Sequence, residues 1–325
     1  MKQTLTPLLA TFLLAVVATA ASMPFWRRLC QRLGWIDEPG QRKIHDAPVA
    51  LSGGLALLTG LIVSMAFWWM LATAGGISRF PQELSAAFHR SPAHFTAIAA
   101  GLLAMSGLGW VDDRLELRPG AKFLGQLFVA VGAALGGVRC GVFDEQPALQ
   151  LAVTVLWILT VTNAFNFIDN MNGLCAGLCI LAAIPVAILA LRGGELLPGI
   201  IAAALAGAAL GFLPFNYPAA SAFLGDCGSH LIGFTLAVIV LEPGLWQITH
   251  APPAPVLGPA LLLAVPLLDL CWVVGWRTWL RKPFHVGDNN HLSHQLVRLG
   301  LSRKTAVAVL WSLAMVGSGL AIALW

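Results

Sequence analysis

The stretch LAVTVLWILTVTNAFNFIDNMNGLCAGLCILAAIPVAIL (151–189) places two apolar segments on either side of one polar loop. Each apolar segment approaches the roughly 20 residues that a helix needs to cross a bilayer. The loop between them, NAFNFIDNMNGL (163–174), is rich in Asn and Asp, which are costly near lipid. The stretch therefore predicts a helical hairpin that carries polar chemistry at one membrane surface.

The whole chain repeats this alternation of apolar segments and short polar loops. Hydrophobic residues make up 58% of it and charged residues 10%, against about 25% charged residues in a soluble domain. We therefore predict an all-α polytopic membrane protein with about ten transmembrane helices, forming a single domain over residues 1–325. The predicted spans are 3–22, 50–74, 95–111, 121–140, 150–167, 174–192, 197–215, 225–242, 256–276 and 305–325.

The basic residues predict the orientation of the chain. Of the 19 Lys and Arg residues, fourteen fall in loops that follow odd-numbered spans and five on the other side. The positive-inside rule then places the odd loops in the cytoplasm and both termini outside. Anionic lipid headgroups or an anionic substrate account for the net charge of +4, so nucleic acid is not expected as a partner. The six cysteines show no zinc-binding spacing.

Four polar loops share the predicted cytoplasmic side. They are DDRLELRPGAKF (112–123), NAFNFIDNMNGL (163–174), FNYPAASAFLGDCGSH (215–230) and FHVGDNNHLSHQLVRLG (284–300). Each even-numbered span begins on this side, so its free backbone N–H groups and positive dipole end point into the same compartment. Three such helix starts around one cavity would bind a pyrophosphate. The loops therefore predict an active site at the cytoplasmic face.

The carboxylates of these loops are the first group of residues that predict an active site. Adjacent Asp112 and Asp113 repel each other, so keeping both ionised at a membrane boundary requires a metal ion or basic partners. Asp226 lies between two glycines at the start of a span, and one carboxylate with substrate phosphates is a common way to hold Mg²⁺. The alternatives are a solvated charge cluster for Asp112 and Asp113 and tight-turn packing for the glycines.

The amides and imidazoles of these loops are the second group. The Asn residues of 163–174 suit a nucleobase, a sugar or the water shell of a metal, although helix capping is an alternative. His291 and His294 lie on one face of a predicted helix and, with Arg298, suit phosphate or uridine oxygens; an interfacial amphipathic helix is the alternative. Asp269 lies inside a predicted span, where an acid is a functional candidate; alternatively, it hydrogen-bonds to a neighbouring helix or binds a loop.

Together these motifs resemble the polyprenyl-phosphate N-acetylhexosamine-1-phosphate transferases, which include the undecaprenyl-phosphate GlcNAc-1-phosphate transferases and phospho-MurNAc-pentapeptide translocase. The resemblance begins at LGWIDEPGQRKIHDAPVALSGGLA (33–56) and runs to the histidine loop. It implies a multi-pass protein of the plasma (inner) membrane that starts cell-envelope polysaccharide synthesis. The phosphate of a polyprenyl phosphate would attack the β-phosphorus of a UDP-sugar and release UMP. Patterns FNFIDN and HLSH resemble the GlcNAc branch more closely, with UDP-MurNAc-pentapeptide or another UDP-HexNAc as alternative donors.

The resemblance also implies roles for particular residues. Asp226, and with it Asp169, would hold Mg²⁺ or Mn²⁺, and Asp112 and Asp113 would position the lipid phosphate. The implied catalytic residues are Asp112, Asp113, Asp169 and Asp226. The implied substrate-binding residues are Lys43, His45, Lys122, Asn166, Asn172, Asn216, His291, His294 and Arg298. A homodimer would be compatible with this assignment.

Two positions depart from the family's pattern. Asn170 stands where the family commonly has the first glycine of D-G-x-D/N-G, and Ser293 stands where it has an imidazole in H-x-H-H. Neither change removes a carboxylate, so we expect activity to be retained.

Two other functions must be weighed: a membrane transporter or flippase, and a non-catalytic protein that binds polyprenyl phosphate. Transporters usually place ionisable groups near the bilayer midplane. Here only Asp269 has that position, while nine of the 15 acids lie in predicted cytoplasmic loops. This distribution favours an enzyme that acts at the membrane surface.

Overall fold

The structure is a computed structural model that describes residues 2–38, 47–73, 91–141, 143, 145–242, 245, 254–282 and 289–324. Its helices are α1 (Lys2–Leu33), α2 (Gly53–Thr73), α3 (Pro92–Leu115), α4 (Pro119–Leu135), α5 (Pro147–Ile168), α6 (Leu174–Gly193), α7 (Leu196–Asn216), α8 (Gly225–Ile239), α9 (Ala254–Leu262), α10 (Ala264–Trp279), α11 (Leu292–Arg298) and α12 (Arg303–Ala323). In the described residues, seven helices are long and apolar enough to cross a membrane, and α4 and α8 are shorter apolar helices. The prediction of an all-α polytopic membrane protein is confirmed.

The predicted ninth span, 256–276, is two helices rather than one. Helix α9 ends at Leu262 and α10 begins at Ala264. Pro266 lacks the N–H that would bond to the carbonyl of Leu262, which explains why the helix is interrupted at this point. The first helix differs as well, since α1 continues past the predicted end at residue 22 to Leu33.

A small sheet, absent from the sequence prediction, joins the start of the chain to the loop before α8. Strand β1 (Ile36–Asp37) pairs antiparallel with β2 (Val49–Leu51), and β2 pairs parallel with β3 (Ala222–Phe223). Strands of two or three residues are too short for an alternation of side chains to reveal them. The sheet holds the segments before α2 and before α8 side by side.

Helix α8 is the centre of the bundle. Every residue from Cys227 to Ile239 is buried, and α2, α3, α5 and α7 pack around it. A helix that is apolar on all sides requires such an enclosed position. Close approach depends on Gly109 of α3, where an added Cβ would overlap the carbonyl of Asp226. The start of α8 is therefore held tightly against α3.

Candidate active site

The described ends of the four polar loops meet around a cavity of about 870 Å³. Six acidic side chains line it: Asp37, Asp112, Asp113, Glu116, Asp169 and Asp226. Its other polar and basic lining residues are Asn166, Asn170, Asn172, Asn216, Asn289, His294, Arg303 and Lys304. The structure thus brings together side chains as far apart in the chain as Asp37 and Lys304, and the four polar loops meet as their pattern predicts.

Asp113 fixes the start of α8. Its Oδ1 accepts a hydrogen bond from the backbone N–H of Asp226 at 2.7 Å, and its Oδ2 accepts one from Cys227 at 3.0 Å. Gly225, immediately before them, has φ of +72° and faces the Asp113 carboxylate, where a Cβ would come within 2.6 Å of Oδ2. A glycine is needed here for both reasons. Asp113 therefore acts as a carboxylate at the positive end of a buried helix.

Lys122 joins two carboxylates at the centre of the cavity. Its Nζ lies 2.8 Å from Oδ2 of Asp112 and 2.5 Å from Oδ2 of Asp226. The same ammonium donates to Oδ1 of Asn166, whose Nδ2 donates to Oδ1 of Asp226 at 2.7 Å. Lys122, a minor phosphate contact in the sequence prediction, is thus the cation around which α3, α4, α5 and α8 meet.

Asp169 is the acidic residue with the least compensation. It follows the last residue of α5 and lines the cavity, and no ion pair is recorded for it within the described part of the chain. Burial, and then the negative charges of Asp226 and Asp113, raise the pKa of Asp169 to about 8. A cation placed beside this carboxyl would restore its ionised form, so Asp169 is suited to a positively charged ligand.

Behind the cavity, a chain of buried polar side chains forms a hydrogen bond to the backbone carbonyl of Asp226. His230 Nδ1 donates to the carbonyl of Asp226 at 2.7 Å, so its Nε2 must accept, and it lies 2.8 Å from Nε2 of Gln126. Oε1 of Gln126 accepts in turn from Asn163 at 2.8 Å. His230 and Gln126 are almost completely buried. The sequence analysis missed both roles, although a Gln within the apolar segment of α4 was the available signal.

The histidine loop is held by Asp269. The fully buried carboxylate accepts from Nδ1 of His291 and from the backbone N–H of Leu292, each at 2.7 Å. Of the structural alternatives for Asp269, the structure shows the one in which an acid within α10 binds a loop. His291 is itself buried, whereas His294 lines the cavity. Arg298 is exposed and donates to Asn290 at 3.1 Å, away from the cavity lining.

The remaining predicted residues divide into three groups. Asn172 lines the cavity and donates to the carbonyl of Pro218. Asn216 also lines it, but its amide is occupied by backbone groups: Oδ1 accepts from Gly173 and Nδ2 donates to Ala222. Lys43 and His45 lie outside the described residues.

Besides Glu116, three further charged lining residues were not predicted as site residues. Asp37 enters through the unpredicted strand β1, and Arg303 and Lys304 begin α12. The sequence analysis had counted all three only as loop charges. They place a carboxylate on one rim of the cavity and two cations on another.

The carboxylates suit a magnesium ion that substrate phosphates complete. Within the described ranges, no three His, Cys, Asp or Glu side chains are grouped closely enough to hold a metal by themselves. Mg²⁺ is usually held by one or two carboxylates together with substrate phosphates and water. Asp226 and Asp169 provide that number, and burial with the charges of Asp226 and Asp113 raises the pKa of Asp169, which a bound cation would lower again.

Comparison with known proteins identifies the class. Residues 95–243 match the family described as Glycosyl transferase family 4. The chain is 32% identical to the decaprenyl-phosphate N-acetylglucosaminephosphotransferase of Mycobacterium tuberculosis (strain ATCC 25618 / H37Rv), covering 91% of this chain and 77% of that protein. It is 29% identical to the probable undecaprenyl-phosphate N-acetylglucosaminyl 1-phosphate transferase of Bacillus subtilis (strain 168), covering 98% and 85%. It is 30% identical to the phospho-N-acetylmuramoyl-pentapeptide-transferase of Heliobacterium modesticaldum (strain ATCC 51547 / Ice1), covering 69% and 73%.

The helical bundle, the acidic cavity and these matches define a membrane-embedded transferase. The chain belongs to glycosyl transferase family 4, and its resemblance to the polyprenyl-phosphate N-acetylhexosamine-1-phosphate transferases is confirmed.

Proposed function

We propose that the protein transfers N-acetylglucosamine 1-phosphate from UDP-GlcNAc to a polyprenyl phosphate and releases UMP. The observation that carries this proposal is the cluster of Asp112, Lys122, Asn166 and Asp226 at the start of buried helix α8. Relatives whose names specify a polyprenyl phosphate and N-acetylglucosamine support the choice of acceptor and sugar. The cavity of about 870 Å³ is large enough for a nucleotide-sugar.

In this reaction an oxygen of the lipid phosphate forms a bond to the β-phosphorus of the donor. The bond from that phosphorus to the oxygen bridging the two phosphates breaks, and its electron pair leaves with UMP. A lipid phosphate is already ionised at neutral pH, so the chain needs to orient two anions rather than remove a proton. Lys122 supplies positive charge between the carboxylates, and Arg303 and Lys304 supply it at the rim.

Mg²⁺, when bound, would offset the charge that develops on the leaving group. Asp226 and Asp169 would hold it, with Asn166 keeping Asp226 in position through their 2.7 Å hydrogen bond. Mn²⁺ has similar ligand preferences and could replace it. The role of Asp113 is to hold the backbone N–H groups of Asp226 and Cys227, which keeps the start of α8 at the cavity.

The orientation is part of the proposal. The excess of Lys and Arg on the side of the four polar loops supports a cavity that opens to the cytoplasm, with both termini outside. Thiol labelling of single cysteines placed at Glu145 and at Arg298, after removal of the native cysteines, tests this. Impermeant reagent added to intact cells should label the first position and spare the second, and the reverse pattern would overturn the orientation.

The decisive experiment measures UMP release by purified protein in detergent with UDP-GlcNAc, undecaprenyl phosphate and Mg²⁺, omitting each component in turn. The proposal expects release only when all three are present, with formation of a diphosphate-linked lipid. UDP-GalNAc and UDP-MurNAc-pentapeptide serve as matched donors and should be used poorly. If no donor is used but liposomes show movement of lipid-linked sugar, the protein is a flippase. Lipid binding without either activity would indicate a non-catalytic protein.

A further inference from the structure

The two positions that depart from the family's pattern contact each other. Ser293 of α11 lies within 2.6 Å of Oδ1 of Asn170, in the loop after α5, across 123 positions of sequence. Ser293 is fully buried, and Asn170 lines the cavity. A glycine at 170 has no side-chain amide, so the family's usual pattern cannot make this bond. The contact links the loop that holds Asp169 to the loop that holds His294.

The direction of each hydrogen bond in this contact can be deduced. Asn170 places Nδ2 2.9 Å from the carbonyl of Phe167, which can only accept. The amide oxygen of Asn170 must therefore face Ser293, and the Ser293 hydroxyl must donate its single proton to it. Oγ of Ser293 is left to accept from Nδ1 of His294, 3.3 Å away. Nδ1 of His294 consequently carries the proton.

The other ring nitrogen of His294 is then an acceptor. A neutral imidazole with a proton on Nδ1 has a lone pair on Nε2, and His294 lines the cavity. Burial, followed by neighbouring His291, Arg298 and Arg303, lowers the pKa of His294 despite the opposing charge of Asp269, which keeps the ring neutral. A lone pair repels phosphate oxygens, because they too are acceptors, and attracts an O–H group.

We propose that the hydrogen bond between Asn170 and Ser293 is a positioning contact that keeps the proton of His294 on Nδ1, so that Nε2 accepts from a hydroxyl group of the nucleotide-sugar. This inference rests on the proposed function and refines the sequence prediction, which left His294 as a clamp for phosphate or sugar. The hydroxyl belongs either to the hexosamine or to the ribose. Asn170 and Ser293 are positioning residues, and His294 is the residue that touches the substrate.

A double-mutant cycle at positions 170 and 293 separates this role from a purely structural one. In Asn170→Ala the freed Ser293 hydroxyl donates to Nδ1 of His294 and moves the ring proton to Nε2. The KM for UDP-GlcNAc should rise about tenfold with little change in kcat, which corresponds to about 1.4 kcal/mol. In Asn170→Ala/Ser293→Ala nothing forces the wrong tautomer, so the KM should fall back towards the wild-type value.

Ser318→Ala is the matched control, because it also removes a buried hydroxyl that donates to a carbonyl, at 2.8 Å to Leu181. It should leave the KM unchanged. Donors deoxygenated on the hexosamine or on the ribose identify the hydroxyl. With one of these analogues, the kcat/KM of the wild type should be about tenfold lower than with UDP-GlcNAc. For Asn170→Ala, the kcat/KM with that analogue should be no lower than its kcat/KM with UDP-GlcNAc.

The outcomes are distinguishable. A KM of the double variant that is no lower than that of Asn170→Ala would overturn the inference while leaving the transferase intact. Equal sensitivity of wild type and Asn170→Ala to every deoxygenated donor would do the same. Absence of UMP release by the wild type would overturn the proposed function, and the inference with it.

Discussion

The two walls of the cavity are held together by different kinds of contact. On the wall formed by α3, α4, α5 and α8, charged groups pair with one another and with backbone N–H groups at a buried helix start. On the second wall, formed by α11 and the loop after α5, His294 donates to Ser293, Ser293 donates to Asn170, and Asn170 donates to the carbonyl of Phe167. Fixed charges suit phosphates, whereas a directed chain of neutral groups suits hydroxyls. The comparison assigns chemistry to the first wall and recognition to the second.

The strongest way to break this comparison is to neutralise one carboxylate of the charged wall. Asp226→Asn should reduce kcat on the order of 10³-fold, because several kcal/mol of charge stabilisation at the phosphates would be lost. UMP release and thermal unfolding of the purified variant check this, and the fold should be retained. Glu145→Gln removes one negative charge at an exposed position away from the cavity and should be fully active. Turnover of Asp226→Asn close to that of Glu145→Gln would contradict the assignment.

The second wall can be weakened at Asp269, which holds the histidine loop from within α10. Asp269→Asn keeps the shape of the side chain but replaces one of its two oxygens, of which Oδ2 accepts from His291 and Oδ1 from Leu292, each at 2.7 Å. Hydrogen bonds to a charged group contribute about 1.5–3 kcal/mol, so kcat/KM should fall by about ten- to a hundredfold. The loss should appear mainly in the KM for UDP-GlcNAc, in contrast to Asp226→Asn. A loss confined to kcat would show that the two walls do not divide their work in this way.

The pH dependence of stability tests the role of Asp169 in the first wall. Its pKa of about 8 in the folded protein exceeds its ordinary value near 3.8, so the folded state binds more protons than the unfolded state between these values. The contribution of Asp169 to stability is therefore present at low pH and lost as pH rises towards 8, by at most about 1.4 kcal/mol per pH unit. Asp169→Asn does not titrate, so its stability relative to the wild type should increase between pH 5 and pH 9. Thermal unfolding in detergent with a chelator measures this. A difference that stays constant with pH would refute it.

The smallest effect is expected at Arg298. Its guanidinium is exposed and bonds to Asn290 rather than lining the cavity. Arg298→Ala should change kcat/KM by less than about threefold, in keeping with the small energies of exposed polar pairs. Steady-state kinetics with UDP-GlcNAc test this. A tenfold rise in KM would restore Arg298 to the phosphate clamp that the sequence predicts.

The helices could be predicted from the sequence, whereas most contacts between them could not. Apolar segments near 20 residues predict spans, and the loops around Asp112, Asp169 and Asp226 could be assigned to one surface. The central position of Lys122 could not be predicted, because its partners lie on α3 and α8 and only the packed bundle sets their distances.

The same limit applies to other parts of the site. Strands β1 to β3 are too short to produce a pattern, and Asp37 joins the cavity only through them. Asn170 and Ser293 were each noticed as departures from a pattern, yet nothing in a single sequence links positions 123 apart. Local chemistry was readable from the chain, whereas pairing across the bundle required the fold.

The shortness of α8 also bears on how a lipid and a water-soluble nucleotide meet. Its 15 residues extend for about 22 Å, whereas the hydrocarbon layer is about 30 Å thick. Asp226, at its first turn, lies level with Asp113 near the end of the 24-residue α3, because the backbone N–H of Asp226 bonds to that carboxylate at 2.7 Å. A phosphate anchored to a polyprenyl tail can reach this depth by lateral diffusion within its own leaflet. Under the proposed function, the lipid phosphate therefore reaches Asp226 within the plane of the membrane, and the water-soluble donor arrives from the side of the polar loops.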